Sequence, residues 1–188
     1  PELIRDNHKA IEHYERGLKE LDSFGIDFIV MVCNTVHLFL PRLQRSVKTK
    51  ILDLREAVYK ELKKRKVSRI AVLATENTIM QRLYEFDDLI AIRLETADIK
   101  ALNNAIINFN IGKEKSKQRL TCERIAARCY DKGAQLIVLG CTELAVMLEK
   151  YRTPSLNTID VLVYAVTSEY KNRMNPQYLN SNRTEATV

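Results

Sequence analysis

The chain contains two copies of one short pattern, and this repeat constrains the fold more than any other feature. The segments Phe24–Thr35 and Lys132–Glu143 align without a gap, and Cys33 then matches Cys141. Each copy has a glycine able to end a helix, a short apolar run typical of a buried strand, and a cysteine followed by small polar residues. We infer two related half-structures that face each other and bring two thiols to one cleft.

The composition favours a soluble globular protein. A chain of 188 residues with 46% hydrophobic and 29% charged content is long enough to bury one good core or two small ones. Its apolar stretches are all shorter than the roughly 20 residues that a membrane helix needs. The first residues, Pro1–Asp6, lack the basic and then apolar layout of a signal peptide. We therefore expect a cytoplasmic protein with no membrane partner.

The four cysteines are expected to be free thiols. Cys33 and Cys141 end apolar runs, whereas Cys122 and Cys129 lie within one helical pattern. This placement is typical of a reduced intracellular protein rather than of a secreted disulfide scaffold. We assign Cys122 and Cys129 to packing.

The net charge of +6 and the pI near 9.1 raise the question of nucleic-acid binding. The densest basic run, Lys60–Lys66, ends a predicted amphipathic helix, where cations complement the helix dipole. The sequence offers neither zinc-finger spacing nor a convincing helix-turn-helix nor an aromatic RNA-binding strand. We expect no nucleic-acid partner, although a positive field attracts an acidic small molecule.

Helical and strand patterns alternate along the chain. The predicted strands cover 27–32, 50–54, 69–74, 89–94 and 135–139. The predicted helices cover 6–21, 56–64, 98–108, 115–130 and 159–170. This alternation predicts an α/β fold with parallel sheets and right-handed crossovers. Ligands of such sheets bind beyond the carboxyl ends of the strands, where Cys33, Thr75 and Cys141 are all expected to lie.

Two motifs carry a resemblance to a known family. Val32–His37 (VCNTVH) resembles the first active-site signature of the aspartate/glutamate racemase family, and Leu139–Leu144 (LGCTEL) resembles the second. The histidine His37 and the glutamate Glu143 at these positions resemble the aspartate-racemase branch more than the glutamate-racemase branch. Val72–Thr75 also resembles the strand-end threonine of that branch.

The resemblance covers roughly residues 17–166 and implies an architecture. It implies two pseudo-twofold related α/β/α domains with parallel sheets and an active site in the cleft between them. We expect residues 1–48 and 155–188 to form the first domain, with the C-terminal helix packing back onto it, and 49–154 to form the second. The resemblance further implies a homodimer.

The family's chemistry gives the two thiols a purpose. Racemisation of an acidic amino acid, most directly aspartate, needs a base and an acid on opposite sides of Cα. The resemblance assigns these roles to Cys33 and Cys141, with the thiolate as the working base. It implies no pyridoxal phosphate and no metal, so hydrogen bonds to the substrate carboxylate must stabilise the carbanion-like transition state. The candidates for those bonds are Asn34, Thr35, Thr75 and Thr142.

The sequence also departs from the family pattern. Members usually begin with a strand, a glycine-rich turn, a helix and a second strand, and we expect that this N-terminal portion is missing here. Asn110–Gly112 stands where a lysine-x-glycine pattern is expected, and Asn157 stands where an aspartate is common.

Three alternatives remain open. An isomerase of the hydantoin-racemase or maleate-isomerase kind would use the same cysteines on another substrate, with one cysteine as a nucleophile in the maleate case. A non-catalytic relative would bind a carboxylate without exchanging its Cα proton. A partial zinc site is also possible, formed by Cys33, His37 and Cys141, although a fourth ligand is not apparent.

Two roles are open for Glu143, which either orients a partner or caps a helix.

Overall fold

The computed structural model describes residues 7–151 and 153–174. The helices are α1 Asn7–Ser23, a 3₁₀ helix Thr35–Phe39, α2 Leu40–Arg45, α3 Leu54–Lys64, α4 Glu76–Met80, α5 Thr96–Asn110, α6 Lys115–Asp131, α7 Thr142–Met147 and α8 Thr158–Met174. The strands are β1 Phe28–Ile29, β2 Lys50–Ile51, β3 Arg69–Ala74, β4 Ile90–Ile92, β5 Leu136–Gly140 and β6 Ser155–Asn157. In the part of the chain covered by these elements, no helix is long and apolar enough to cross a membrane.

The strands form two parallel sheets, as predicted. The larger sheet has four strands in the order β4-β3-β5-β6, and the smaller one pairs β1 with β2. All of these pairings are parallel, so helical connections must return the chain to the same end of the sheet. The α/β class with parallel sheets is therefore confirmed.

The larger sheet is covered on both faces. Along β3 and β5, Ile70 and Val138 pack in one buried cluster with residues of α3 and α8. Leu73 and Ile137 pack on the other face with residues of α5, α6 and α7. Successive side chains of a strand point to opposite faces, so these apolar runs produce a three-layer α/β/α unit.

The smaller sheet has a core of its own. Ile11 and Leu18 on α1 contact a buried cluster that includes Ile29 of β1, Leu43 of α2 and Ile51 of β2. The spacing of seven residues between Ile11 and Leu18 places both on one face of the helix. This core supports the loop that carries Cys33.

Two glycines end helices in the manner that the repeat predicts. Gly25 follows α1 with φ +67°, and Gly133 follows α6 with φ +89°. Only glycine adopts this left-handed conformation at low cost. At Gly133 an added Cβ would also lie 3.0 Å from Arg69 Nη2, but the end of that flexible side chain can shift, so it is the backbone conformation that requires glycine there.

Several predicted boundaries were wrong in detail. The strand predicted at 27–32 is only Phe28–Ile29, because its partner β2 is only Lys50–Ile51. The strand β6 was not predicted. It has three residues, and it gains strand geometry through its pairing with β5.

The division into domains stays a prediction, and residues 1–6 and 175–188 of the first predicted domain lie outside the described residues. Sheet membership differs from that division at two strands, since β2 pairs with β1 and β6 pairs with β5. Helix α8 contacts residues of both the larger three-layer unit and the smaller sheet. Its Val161 and Leu162 pack with α3, whereas its Glu169 lies 3.0 Å from Lys50 Nζ beside the smaller sheet.

Candidate active site

One cavity of about 780 Å³ brings together the six residues to which the sequence analysis gave catalytic or substrate-binding roles. Its lining includes Cys33, Asn34, Thr35, Thr75, Cys141 and Thr142. Three chain segments contribute these side chains: the turn before the 3₁₀ helix, the end of β3 and the end of β5. The roles assigned to these residues stay predictions, but their convergence on one cavity is an observed property of the fold.

Strand pairing determines how two of these segments meet. In the larger sheet, Ala74 of β3 pairs with Gly140 of β5. The next residue of each strand, Thr75 and Cys141, therefore leaves the sheet beside the other. This edge is where ligands of parallel sheets bind.

Cys33 comes from the smaller half of the molecule. It lies four residues after Ile29 and directly before the turn that leads into the 3₁₀ helix, so it does not directly end a strand. Its side chain is half-buried. The buried His37 ring supports this turn, because its Nδ1 lies 2.9 Å from the Cys33 carbonyl oxygen. A carbonyl only accepts, so Nδ1 carries the hydrogen and donates it.

The other ring nitrogen of His37 lies 3.4 Å from the Leu52 carbonyl oxygen. The ring thus lies between two backbone carbonyl groups, and the shorter contact, from Nδ1 to the Cys33 carbonyl oxygen, is the one that fixes it. Among residues 7–151 and 153–174, no group of three or more His, Cys, Asp or Glu side chains is arranged to hold a metal ion.

Cys141 has a carboxylate partner. Its Sγ donates to Glu143 Oε2 at 2.6 Å. The same oxygen accepts from Thr142 Oγ1 at 2.9 Å, and Asn110 Nδ2 donates to Glu143 Oε1 at 2.7 Å. Glu143 therefore receives three hydrogen bonds at the edge of the cavity.

These contacts control the protonation of the pair. Burial, followed by the Glu143 hydrogen bond and charge, raises the pKa of the Cys141 thiol. Burial alone would raise the pKa of Glu143 as well, but the bonds donated by Cys141 and Asn110 and the bond from Thr142 outweigh it and lower that pKa. At neutral pH the pair is therefore a thiol beside a carboxylate.

Three threonine hydroxyls form a cluster beside the thiols. Thr35 Oγ1 lies 3.2 Å from Thr75 Oγ1 and 2.9 Å from Thr78 Oγ1, and the Thr75 and Thr78 oxygens are 3.0 Å apart. The cluster joins the 3₁₀ helix of one half to α4 of the other. Because a hydroxyl hydrogen rotates about its C–O bond, Thr35 or Thr75 can direct it toward a bound carboxylate without backbone movement.

Asn34 lines the cavity and holds a buried donor that has no partner in the part of the chain that the structure describes. Only 3% of Asn34 is exposed, and its Oδ1 accepts a hydrogen bond from the Tyr84 hydroxyl. Its Nδ2 is buried and has no hydrogen-bond partner among the described residues. Such a donor is costly when it stays unpaired, so the site is suited to a ligand with an acceptor oxygen.

Sequence reasoning missed three residues of this site. Thr78, Tyr84 and Asn110 each hold a predicted residue through a hydrogen bond. The spacing of Thr75 and Thr78 on the first turn of α4 is a signal that could have pointed to Thr78. Tyr84 lies far from the motifs in sequence and carries no local signal, whereas Asn110 was noted only as a departure from the family's lysine-x-glycine pattern.

The other two cysteines fit the packing role predicted for them. Cys122 and Cys129 are buried on α6 within the core. Burial raises the pKa of Cys122 to about 12 and that of Cys129 to about 11. Such thiols are unreactive near neutral pH.

The chain resembles known racemases in sequence. A family model described as Asp/Glu/hydantoin racemase matches residues 1–168. A broad specificity amino-acid racemase of Bacillus subtilis is 32% identical over 69 residues, which span 37% of this chain and 30% of the relative.

Solved structures share the fold. An aspartate racemase homologue from Pyrococcus horikoshii superposes with a TM-score of 0.72 at 20% identity, covering 89% of this chain and 77% of that one. The Picrophilus torridus aspartate racemase gives a TM-score of 0.71 at 21% identity, covering 85% and 69%. With the family model matching most of its length, the chain belongs to the Asp/Glu/hydantoin racemase family.

Proposed function

We propose that this racemase inverts an amino acid at Cα by two-base proton transfer between Cys33 and Cys141, without a cofactor. The observation that carries the proposal is that both motif thiols line one cavity together with hydroxyl and amide donors. A base and an acid that face one carbon from two sides are what inversion of that carbon requires.

The protonation of the Cys141–Glu143 pair makes Cys141 ready to act as the proton donor in one of the two directions of the reaction. Cys141 rests as a thiol, so it is prepared to donate its proton to Cα while the Cys33 thiolate removes the proton on the opposite face. In the reverse direction Cys141 must first lose its proton, and the Glu143 carboxylate at 2.6 Å from the sulfur is the acceptor nearest to it. Each turnover breaks one Cα–H bond and forms another on the opposite face, so Cys33 ends as a thiol and Cys141 as a thiolate. Proton exchange with solvent then restores the starting state of the two thiols.

The substrate carboxylate needs donors because charge develops on it when Cα loses its proton. Asn34 Nδ2 and the hydroxyls of Thr35, Thr75 and Thr142 supply them in this proposal. Donors fixed in place before the reaction stabilise the transition state without reorganising during it.

We propose aspartate, or another acidic amino acid, as the first substrate to test. The motifs around the two cysteines favour it, and the fold neighbour from Pyrococcus horikoshii is described as an aspartate racemase homologue.

An amino acid with an uncharged side chain is the second candidate. Among the described residues, the lining carries two carboxylates, Glu76 and Glu143, and no lysine or arginine. Much of the rest is apolar, including Ile11, Phe39 and Ile107. A side chain without a negative charge suits these surroundings, and the Bacillus subtilis relative is named as a broad specificity enzyme.

The remaining expectations concern the setting of the enzyme. We propose that it works in the cytoplasm as a homodimer on a small molecule, with neither a nucleic-acid nor a membrane partner. Size-exclusion chromatography with light scattering tests the dimer directly.

The experiment that tests the function is a substrate panel in D₂O. The protein, kept reduced, is incubated with L-aspartate, L-glutamate, L-methionine, L-lysine, a 5-substituted hydantoin and maleate. Loss of the Cα–H signal with appearance of the D-enantiomer supports racemisation and names the substrate. Turnover of the hydantoin or of maleate alone would contradict amino-acid racemisation, and binding without exchange would indicate a carboxylate-binding relative.

A further inference from the structure

Tyr84 contacts both segments that carry the two thiols, although it does not line their shared cavity. Its hydroxyl donates to Oδ1 of Asn34, the residue after Cys33. Its ring packs against Gly140, the residue before Cys141, where an added Cβ would lie 3.2 Å from Tyr84 Cε2. One side chain thus meets the neighbours of both thiols.

We propose that Tyr84 is a positioning residue, which holds the accepting end of the Asn34 amide so that the donor Nδ2 stays free to pair with the carboxylate of the substrate. This inference rests on the proposed function, because it assigns Asn34 to substrate binding.

The state of Asn34 supports the proposal. A side-chain amide has one accepting end and one donating end, and a rotation of half a turn exchanges them. The Tyr84 hydroxyl occupies the accepting end, which leaves Nδ2 buried without a partner among the described residues. Native structures rarely leave a buried donor unpaired, and a bound carboxylate would pair this one.

Tyr84 is well suited to keep this arrangement. It is 1% exposed and packs with Leu83 and Val138 in the core of the larger unit, so its ring has little freedom to move. Burial raises the pKa of its phenol, and the hydroxyl therefore stays a donor across the working pH range.

Removing the hydroxyl should weaken substrate binding. Without it, the Asn34 amide is able to turn and present Oδ1 to the carboxylate, which is repulsive. The loss of one oriented hydrogen bond corresponds to roughly a three- to tenfold rise in KM. We expect kcat to fall as well, because the same donor meets the charge that develops on the carboxylate in the transition state.

A double-mutant cycle tests the inference. Racemisation kinetics are measured for wild type, Tyr84→Phe, Asn34→Ala and the double variant, with whichever of L-aspartate and L-methionine the wild type turns over faster. We expect KM to rise in both single variants. In the Asn34→Ala background, Tyr84→Phe should change KM by less than about twofold, because its target is gone.

Tyr59→Phe is the matched control. The Tyr59 hydroxyl donates to Asp88 at 2.9 Å on the surface, so this variant also loses one phenol hydrogen bond but leaves the cavity intact. We expect wild-type kinetics from it.

Several results would overturn the inference. An unchanged KM in Tyr84→Phe, or the same rise in both backgrounds, would show that Tyr84 does not act through Asn34. An unchanged KM in Asn34→Ala would also overturn the inference, even if Tyr84→Phe failed to fold.

In the folded wild type, a ligand-induced shift of the Asn34 side-chain amide NMR signal is expected, and its absence would also contradict the assignment. A wild type inactive on the whole panel would instead overturn the proposed function, and this inference with it.

Discussion

The Cys141 thiol donates a hydrogen bond of 2.6 Å to the Glu143 carboxylate two residues later. The carboxylate favours the protonated form of the thiol through both its bond and its charge. Because Asn110 and Thr142 also donate to Glu143, the carboxylate stays ionised while it does so. The pair thus holds a proton on sulfur beside a group that is able to accept it.

Replacing Glu143 by glutamine tests this coupling. The change removes the negative charge that raises the pKa of Cys141, so that pKa should fall. Iodoacetamide alkylation of Cys141, followed by peptide mass spectrometry against pH, should reach half its maximal rate at a lower pH than in the wild type. Racemisation should nevertheless slow by about tenfold or more, since the proton acceptor for Cys141 is gone.

Glu149→Gln is the control for charge alone, because Glu149 is exposed just after α7. Its alkylation profile should match the wild type. An unshifted or upward-shifted Cys141 profile in Glu143→Gln would mean that the carboxylate does not control the thiol.

The threonine cluster predicts a stability effect. Thr78 is 1% exposed and its hydroxyl meets Thr35 and Thr75. Thr78→Val keeps the shape but removes the hydroxyl, and we expect a loss of about 1–2 kcal/mol in the free energy of unfolding. Urea denaturation measures it. Thr167→Val, at an exposed position of α8, should stay within about 0.5 kcal/mol of wild type, and equal values for both variants would argue against a structural cluster.

Substitution by alanine should have opposite effects on stability at two of the glycines. Gly133→Ala places a Cβ at φ +89° and 3.0 Å from Arg69 Nη2, which should destabilise the protein by about 1–2 kcal/mol. Gly17→Ala lies within α1 with nothing inside 4 Å of the added Cβ, and should stabilise it by about 0.5–1 kcal/mol. Thermal unfolding of the two variants side by side checks both signs, and a tolerated Gly133→Ala would contradict the helix-ending role.

The buried cysteines of α6 provide a test of thiol assignment. Cys129→Ala removes a packed thiol from the core, so it should lower stability by about 1 kcal/mol or more and leave the Cα exchange rate of the folded protein unchanged. A folded Cys129→Ala variant that had lost exchange would mean that chemistry is not confined to Cys33 and Cys141.

Elements with strong local signals could be predicted from the sequence. The strand Arg69–Ala74 has the predicted bounds, because its apolar run is long and bounded by polar residues. The limits of strand β1 and the existence of strand β6 could not be predicted, since each strand depends on pairing with its partner in the sheet rather than on its own residues.

The residues of the site also differ in how far the sequence predicts them. Cys33 and Cys141 were predicted because they belong to a repeat and to recognisable motifs. Tyr84 was not, because its importance comes from a contact with Asn34 that only the folded chain creates. Asn110 was noted only as a departure from the family pattern, and its contact with Glu143 is likewise created by folding. Supporting residues of this kind carry no pattern in a single sequence.

The most direct test of the two-base account is the exchange of Cα protons with D₂O in Cys33→Ser and Cys141→Ser, starting separately from the L- and the D-enantiomer of the substrate. If the thiols work on opposite faces, neither variant should racemise, and any residual exchange should be restricted to one enantiomer, a different one in each variant. Full racemisation in either variant, or exchange of both enantiomers in one of them, would contradict the account.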